Sequence, residues 1–156
     1  MAKKEGAGMW LDRLFARFPI ARFARFCVVG LSGLAVDMTA LYLLSDPRAL
    51  GWGLTQSKII SSELAIINVF IWNNRWTFGD ISRAQGAGIG RWSRRLLKFN
   101  AIYLIGMAIN VLLLNIFFHI FGMNRYLANL IAIAIVAFWN FLVNLNFNWR
   151  LPGAEK

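Results

Sequence analysis

Three ionisable residues lie inside stretches of the sequence that are otherwise apolar. Asp37 and Glu63 would each lie about 12 Å from the nearer end of a helix that rises roughly 1.5 Å per residue. Lys58 is closer to a helix end, so it can extend outward or pair with either acid. Charged groups at such depth in a membrane are costly and mark either an internal ion pair or a functional polar path. We expect Asp37, Lys58 and Glu63 to form one polar cluster, and the sequence leaves both roles open. Three serines would add hydroxyl groups to it: Ser57, Ser61 and Ser62.

A second polar pattern ends two of the apolar stretches. The segment WNNRWTF covers residues 72–78, and NLNFNWR covers residues 144–150. Asparagine amides and guanidinium groups donate hydrogen bonds to phosphate oxygens, which suits lipid headgroup depth. Tryptophans at helix ends are commonly anchors at the membrane surface, and we expect this role for Trp72, Trp76 and Trp149.

Asn68 and Asn140 lie farther inside the apolar stretches. An amide that faces lipid would have no hydrogen-bond partner, so both side chains should face neighbouring helices. Their role is either to join helices or to line a polar path.

Composition indicates a membrane protein. Of the 156 residues, 58% are hydrophobic and 15% are charged, and mean hydropathy is +0.54; soluble domains carry roughly 25% charged residues. Four stretches are long enough to cross a bilayer: residues 23–44, 54–72, 97–121 and 127–145. The predicted fold is an all-α membrane protein with four transmembrane helices.

The distribution of Lys and Arg predicts the orientation. Ten of them lie before the first span and between the second and third, whereas the two opposite turns hold only Arg48 and Arg125. Because cytoplasmic segments keep positive charge, both termini should be cytoplasmic. The basic residues behind the net charge of +10 therefore flank apolar spans. This distribution argues against a nucleic-acid-binding face, which would gather them on one surface.

The two halves resemble each other. A shift of 73 residues superposes Gly33 on Gly106 and Asp37 on Asn110, and a shift of 72 superposes Asn68 on Asn140. We therefore predict two helical hairpins related as a parallel repeat, with a pseudo-twofold axis along the membrane normal.

The remaining segments complete the domain plan. Residues 1–21 form an N-terminal segment in which MWLDRLFARF, residues 9–18, predicts an interfacial amphipathic helix. Residues 22–150 form the membrane domain, and residues 151–156 form a cytoplasmic tail. A homodimer is plausible because small residues permit close helix contact: Gly30, Gly33, Ala35 and Gly106.

Enzyme chemistry has little support in this sequence. Cys27 and His119 are single residues of their type, which argues against a metal site. The glycines of GAGIG, residues 86–90, do not follow a strand and read as a flexible linker. We expect no catalytic residues, no metal and no cofactor.

The motifs resemble the GtrA-like family of small four-helix membrane proteins. RFCVVGLSGLAVD, residues 25–37, is similar to the family's first span, and NNRWTF, residues 73–78, is similar to the ending of its second span. The second half repeats the outline less closely in residues 96–114 and 140–150, where NLNFNWR departs from the Asn-Arg pattern.

The resemblance implies translocation of a sugar linked to polyprenyl phosphate, such as undecaprenyl phosphate, across the bacterial cytoplasmic membrane for polysaccharide or glycolipid synthesis. A phosphate dock at the cytoplasmic surface would then comprise Arg22, Arg25, Asn73, Asn74, Arg75 and Lys98. The sugar's route would be lined by Asp37, Lys58, Glu63, Asn68, Asn110 and Asn140.

The resemblance also implies a partner, a family 2 glycosyltransferase that makes the lipid-linked sugar. Two alternatives to translocation stay open. The chain could be a membrane anchor that recruits the transferase through its basic loop, or a small exporter that exchanges protons at Glu63.

Overall fold

Five α-helices form the protein in a computed structural model that describes residues 19–149. They are α1 (Ile20–Ser45), α2 (Leu54–Trp72), α3 (Gly79–Ala84), α4 (Ile89–Asn115) and α5 (Arg125–Val143). Three of them continue into a single π-helical turn: α2 into Asn73–Thr77, α4 into Ile116–Ile120 and α5 into Asn144–Asn148. The predicted helix at residues 9–18, the tail and Arg150 lie outside the described residues.

Three helices among residues 19–149 are long and apolar enough to cross a membrane. They are Ile20–Ser45, Ile89–Ile120 and Arg125–Asn148. Helix α2 does not meet that standard, and its first half carries the polar residues Lys58 and Glu63. Helix α2 nevertheless packs along α1, so the bundle has four long helices.

Helix α4 begins earlier than the sequence pattern indicated. The segment before residue 97 was expected to be a polar loop, but it contains α3 and the first two turns of α4. The start of α4 has a buried side, because Trp92 is half-buried and Arg95 and Phe99 are buried. The buried residues recur at helical spacing, and their packing stabilises a helix here although its outer face is basic.

In each hairpin the two helices approach each other closely at a glycine. A Cβ atom at Gly33 would collide with the side chain of Val69, and one at Gly106 would lie 2.7 Å from Asn140 Oδ1. Both glycines therefore permit close approach within a hairpin, α1 to α2 and α4 to α5. Gly33 and Gly106 are each buried between the two helices of their own hairpin. They are therefore not available for a contact with a second copy of the chain.

These contacts revise the alignment of the two halves. Gly33 and Gly106 are 73 residues apart, but Val69 and Asn140, which face them, are 71 apart. The π-helical turns begin at Asn73 and Asn144, which gives the same offset. The sequence alignment of the second helices was thus wrong by one residue, because a run of asparagines offers several superpositions.

A cluster of aromatic side chains joins the hairpins at one end of the bundle. Its buried members are Phe26, Phe70, Phe78, Phe99, Phe141 and Trp149. Equivalent pairs have nearly equal centroid distances: Phe26 lies 5.5 Å from Phe141, and Phe99 lies 5.6 Å from Phe70. The two hairpins are therefore related by a pseudo-twofold axis and run in parallel, as predicted.

Phe78 and Trp149 are the equivalent residues that meet at this axis. Their rings stack at 4.5 Å with an interplanar angle of 14°, and both are fully buried. The prediction that Trp149 is an interface anchor was wrong: the residue belongs to the core. Trp72 and Trp76 are exposed, as that role requires.

Candidate functional site

A groove of about 640 Å³ lies where α2 ends, α3 follows and α4 begins. Three arginines line it: Arg75 from the π-helical turn, Arg83 from α3 and Arg95 from α4. The other lining residues are Asn74, Gly79, Ser82, Gly86, Ala87, Gly88, Ile89 and Trp92. None of these residues is acidic, so the groove presents positive charge and hydrogen-bond donors.

Arg95 is the most informative residue of the groove. Only 9% of it is exposed, and its contact with Gln85 Oε1 is long, at 3.4 Å. Its Nε atom is buried and has no partner among residues 19–149, and those residues give it no ion pair. A buried cation without an opposite charge is unfavourable, which makes this groove suited to an anion.

Asn74 is oriented by a chain of hydrogen bonds that starts in the other hairpin. Trp149 Nε1 donates to Ser82 Oγ at 2.8 Å, and Ser82 Oγ donates to Asn74 Oδ1 at 2.8 Å. Because the amide oxygen is occupied, the Asn74 amide nitrogen is the atom left to donate. The core tryptophan thereby sets the direction of a groove donor.

The glycines before α4 shape the wall of the groove. Gly86 and Gly88 have φ angles of 81° and 146°, which side chains other than glycine rarely adopt. The Arg91 guanidinium packs against this turn and donates to the Ala87 carbonyl at 2.7 Å. The segment expected to be a linker is thus part of the site.

The six residues predicted to form one dock are not brought together. Asn74 and Arg75 line the groove. Asn73 is fully buried, and its amide nitrogen and oxygen have no partner among residues 19–149. Lys98 is exposed on α4, three residues beyond Arg95, and does not line the groove.

The two remaining dock residues are engaged elsewhere. Arg22 forms an ion pair with Asp80 at 2.8 Å, and the Arg25 guanidinium lies 5.8 Å from the centre of the Trp76 ring, within cation–π range. Partial burial opposes ionisation of Asp80, but the Ile81 N–H and the Arg22 charge outweigh it and lower the pKa of this carboxyl.

Sequence reasoning missed Arg83 and Arg95 as members of this site. It treated Arg95 as one of several loop charges, and it did not single out Trp92 or Ser82. The available signal was periodicity: Trp92, Arg95 and Phe99 follow a spacing of three and four residues, which places them on one side of a helix.

The predicted polar cluster is present in part. Lys58 Nζ forms an ion pair with Asp37 Oδ2 at 2.6 Å, and Ser61 Oγ donates to Asp37 Oδ1 at 2.8 Å. Ser62 adds a longer contact of 3.5 Å. Glu63 does not join them: its Oε2 atom accepts from Asn100 Nδ2 at 3.1 Å, because its helical position turns it toward α4.

The three other path residues lie on three different helices, Asn68 on α2, Asn110 on α4 and Asn140 on α5. Asn68 Nδ2 donates to Ser32 Oγ at 3.1 Å, which joins α2 to α1. Asn140 lies against Gly106, and Asn110 is on α4. The side-chain oxygens of Asn110 and Asn140 are buried without a partner among residues 19–149.

The fold and the site define a helical membrane protein with a cationic groove at one end of a pseudo-twofold bundle. The chain belongs to the GtrA/DPMS transmembrane domain family, whose model matches residues 25–149. This match confirms the family resemblance seen in the motifs. The protein is accordingly a multi-pass membrane protein.

Two relatives extend the comparison. A dolichol-phosphate mannosyltransferase from Pyrococcus furiosus is 34% identical over 130 residues, which are 83% of this chain and 34% of that protein. An uncharacterized membrane protein, YngA, from Bacillus subtilis is 28% identical over 98 residues, which are 63% of this chain and 60% of that protein. The chain therefore spans only part of the length of both relatives.

Proposed function

We propose that this protein binds a polyprenyl-phosphate-linked sugar at the cationic groove and translocates it across the bacterial cytoplasmic membrane for cell-surface polysaccharide or glycolipid synthesis. The observation that carries the proposal is Arg95, a buried cation whose counter-charge is missing among residues 19–149. A phosphate supplies that charge and accepts several hydrogen bonds at once. Arg75 and Arg83 flank it on the same groove.

The position of the groove supports a ligand made in the cytoplasm. The groove lies at the bundle end where α1 and α4 start and where α2 and α5 end. By the distribution of Lys and Arg, that end faces the cytoplasm, with both termini on the same side. The phosphate of a lipid carrier lies at the headgroup level, which is the depth of such helix ends. We take α2 to be the fourth transmembrane helix, since it packs along α1.

The protein's own role in this scheme is non-catalytic. The groove contains three arginines, the Asn74 amide and the Ser82 hydroxyl, which bind an anion but do not provide an acid–base pair for sugar transfer. The relative from Pyrococcus furiosus is named a mannosyltransferase, and this chain covers about a third of it. We assign transfer to a family 2 glycosyltransferase, the partner that the family resemblance implies.

Anchoring of that transferase is the second candidate function. Arg91 and Arg94 are exposed beside the groove and form a basic surface that an acidic partner could contact. In this case the groove would retain a lipid without moving it. The two functions differ in one observable, which is whether the lipid changes leaflet when no transferase is present.

Reconstitution of the purified protein into liposomes tests the proposal. A polyprenyl-phosphate hexose is placed in one leaflet. Its appearance in the other leaflet is measured as oxidation of the sugar by a reagent that cannot cross the membrane. We expect wild-type protein to move the lipid and Arg75→Ala to slow it about tenfold, or ~1.4 kcal/mol.

The repeat offers a matched control for Arg75. Asn146 occupies the equivalent position in the second hairpin, where its amide donates to the Leu142 carbonyl, so Asn146→Ala should keep the wild-type rate. If wild-type protein moves no lipid, and a co-purifying transferase is lost when Arg91 and Arg94 are neutralised, anchoring is the correct function. Proton-coupled release of small molecules would instead support an exporter.

A further inference from the structure

The two hairpins touch along two helix pairs, α2 with α4 and α1 with α5, and we call the line between the helices of each pair a crevice. The pseudo-twofold axis makes them equivalent in backbone, so their side chains can be compared position by position. A lipid-linked sugar needs a polar route on the membrane face of the bundle, because its prenyl chain stays in the lipid while its headgroup crosses. The two crevices differ in whether they offer such a route.

The α2/α4 crevice contains a polar pair at mid-depth. Asn100 Nδ2 donates to Glu63 Oε2 at 3.1 Å, and Glu63 is exposed. Glu63 lies near the middle of α2, about 13 Å from either end at roughly 1.5 Å per residue. A carboxylate with one hydrogen bond at that depth is costly in lipid and marks a functional position.

The α1/α5 crevice lacks this chemistry. The residues equivalent to Asn100 and Glu63 are Cys27 and Ala134, which offer neither a carboxylate nor an amide. At the inner end of that crevice Arg22 is the equivalent of Arg95, and its charge is neutralised by Asp80.

The cationic groove and the polar pair lie at successive depths along α4. Arg95 and Asn100 are on the same helix, separated by about 7.5 Å along its axis at roughly 1.5 Å per residue. Arg75 ends the other helix of the same crevice. Glu63 and Asn100 therefore lie at the next polar depth between the groove and the membrane centre.

The other charged cluster does not compete for this role. Both oxygens of Asp37 are occupied, one by Lys58 and one by Ser61, and these contacts join α1 to α2 within one hairpin. Asn68 also bonds within that hairpin. Their geometry stabilises the hairpin and leaves the α2/α4 crevice as the polar face.

We infer that the sugar headgroup crosses along the α2/α4 crevice and that Glu63 and Asn100 bind its hydroxyl groups at mid-membrane. A carboxylate accepts hydrogen bonds from two neighbouring hydroxyls, and an amide both donates and accepts, so the pair suits a diol of a hexose. This inference rests on the proposed function for its substrate class and adds the route and the sugar contacts.

The test compares equivalent substitutions in the two crevices. Asn100→Leu and Glu63→Gln are measured beside Cys27→Leu, the change at the position equivalent to Asn100, in the liposome assay with polyprenyl-phosphate hexose. We expect Asn100→Leu to slow translocation at least tenfold and Glu63→Gln at least threefold. Cys27→Leu should stay within twofold of wild type. Wild-type rates for Asn100→Leu, or an equal loss in Cys27→Leu, would overturn the inference.

A binding measurement separates this inference from the proposed function. The affinity for polyprenyl-phosphate hexose is compared with that for polyprenyl phosphate without sugar. Wild type should prefer the sugar-bearing lipid, and Asn100→Leu should lose that preference while it binds the sugar-free lipid within twofold of wild type. If wild-type protein moves no lipid but shows this preference, translocation fails and the sugar site stands. If wild-type protein shows no preference, the sugar site fails whatever the transport result.

Discussion

Arg75 and Asn146 occupy equivalent positions at the ends of two equivalent hairpins, yet only Arg75 lines the cationic groove. Asn146 donates to a carbonyl of its own helix. In the first helices of the hairpins the contrast runs the other way: Arg95 of the second hairpin has no acidic partner among residues 19–149, and Arg22 of the first is paired with Asp80. A repeated backbone thus carries different chemistry in its two copies.

The end of the second hairpin supports the groove without lining it. Asn148 Nδ2 donates to the Arg95 carbonyl at 3.0 Å, and Trp149 donates to Ser82. The equivalent residues of the first hairpin are Thr77 and Phe78, and the Thr77 hydroxyl has no partner among the described residues. The groove therefore takes side chains from both copies, Arg75 from the first and Arg95 from the second, and the end of the second hairpin holds part of this wall in place.

The largest expected effect comes from the two equivalent arginines. Arg95→Leu should weaken binding of polyprenyl phosphate about 100-fold, or ~3 kcal/mol, because removal of one member of a buried charge pair commonly has that effect. Arg22→Leu should change it less than threefold. Binding is measured with purified protein in detergent, with the melting temperature as a control for folding. Equal losses in both variants would mean that the two copies share the site.

The glycine contacts test whether the two hairpins close in the same way. Gly33→Ala should destabilise the protein by ~2 kcal/mol, because a methyl group would overlap Val69. Adding Val69→Ala should restore much of the loss, and Gly30→Ala should be neutral, since nothing lies within 4 Å of a Cβ there. Thermal unfolding in detergent measures all three. Failure of the rescue would place the strain somewhere other than the Val69 contact.

Replacing the core tryptophan makes the second hairpin more like the first. Trp149→Phe introduces the residue type that the first hairpin has at the equivalent position, Phe78. The substitution removes the hydrogen bond to Ser82, which should cost ~1 kcal/mol of stability. Affinity for polyprenyl phosphate should fall a few-fold, because Asn74 loses part of its orienting network. A double-mutant cycle with Ser82→Ala checks this: additive effects would show that the two residues act independently.

The smallest effect concerns the ion pair that distinguishes Arg22 from Arg95. The pKa of Asp80 is lowered from its ordinary value of 3.8, so the pair contributes stability above about that pH and loses it as pH falls through the lowered pKa. Both side chains are partly exposed, 28% for Arg22 and 58% for Asp80, and we expect a contribution of roughly 0.5 kcal/mol. Melting temperatures of wild type and Asp80→Asn should differ at pH 6, and the difference should shrink as the pH falls below 3.8 and through the lowered pKa.

Several elements followed from the sequence because local patterns specify them. Apolar length located the four long helices, and α2 was predicted with its observed limits, 54–72. The start of α4 was missed because its solvent-facing side is basic and hides the buried side formed by Trp92, Arg95 and Phe99. The Asp37–Lys58 pair was found because two unlike charges in apolar helices have few partners.

The sequence by itself determined the membrane class, the repeat and the family, since these depend on hydropathy, spacing and motifs along the chain. Only the tertiary structure decided which equivalent residues are neutralised and which are left to meet a ligand. Arg22 and Arg95 look alike in sequence, but a carboxylate from α3 reaches one of them and leaves the other without a counter-charge. Electrostatic pairing depends on distances between helices, and no local pattern specifies those distances.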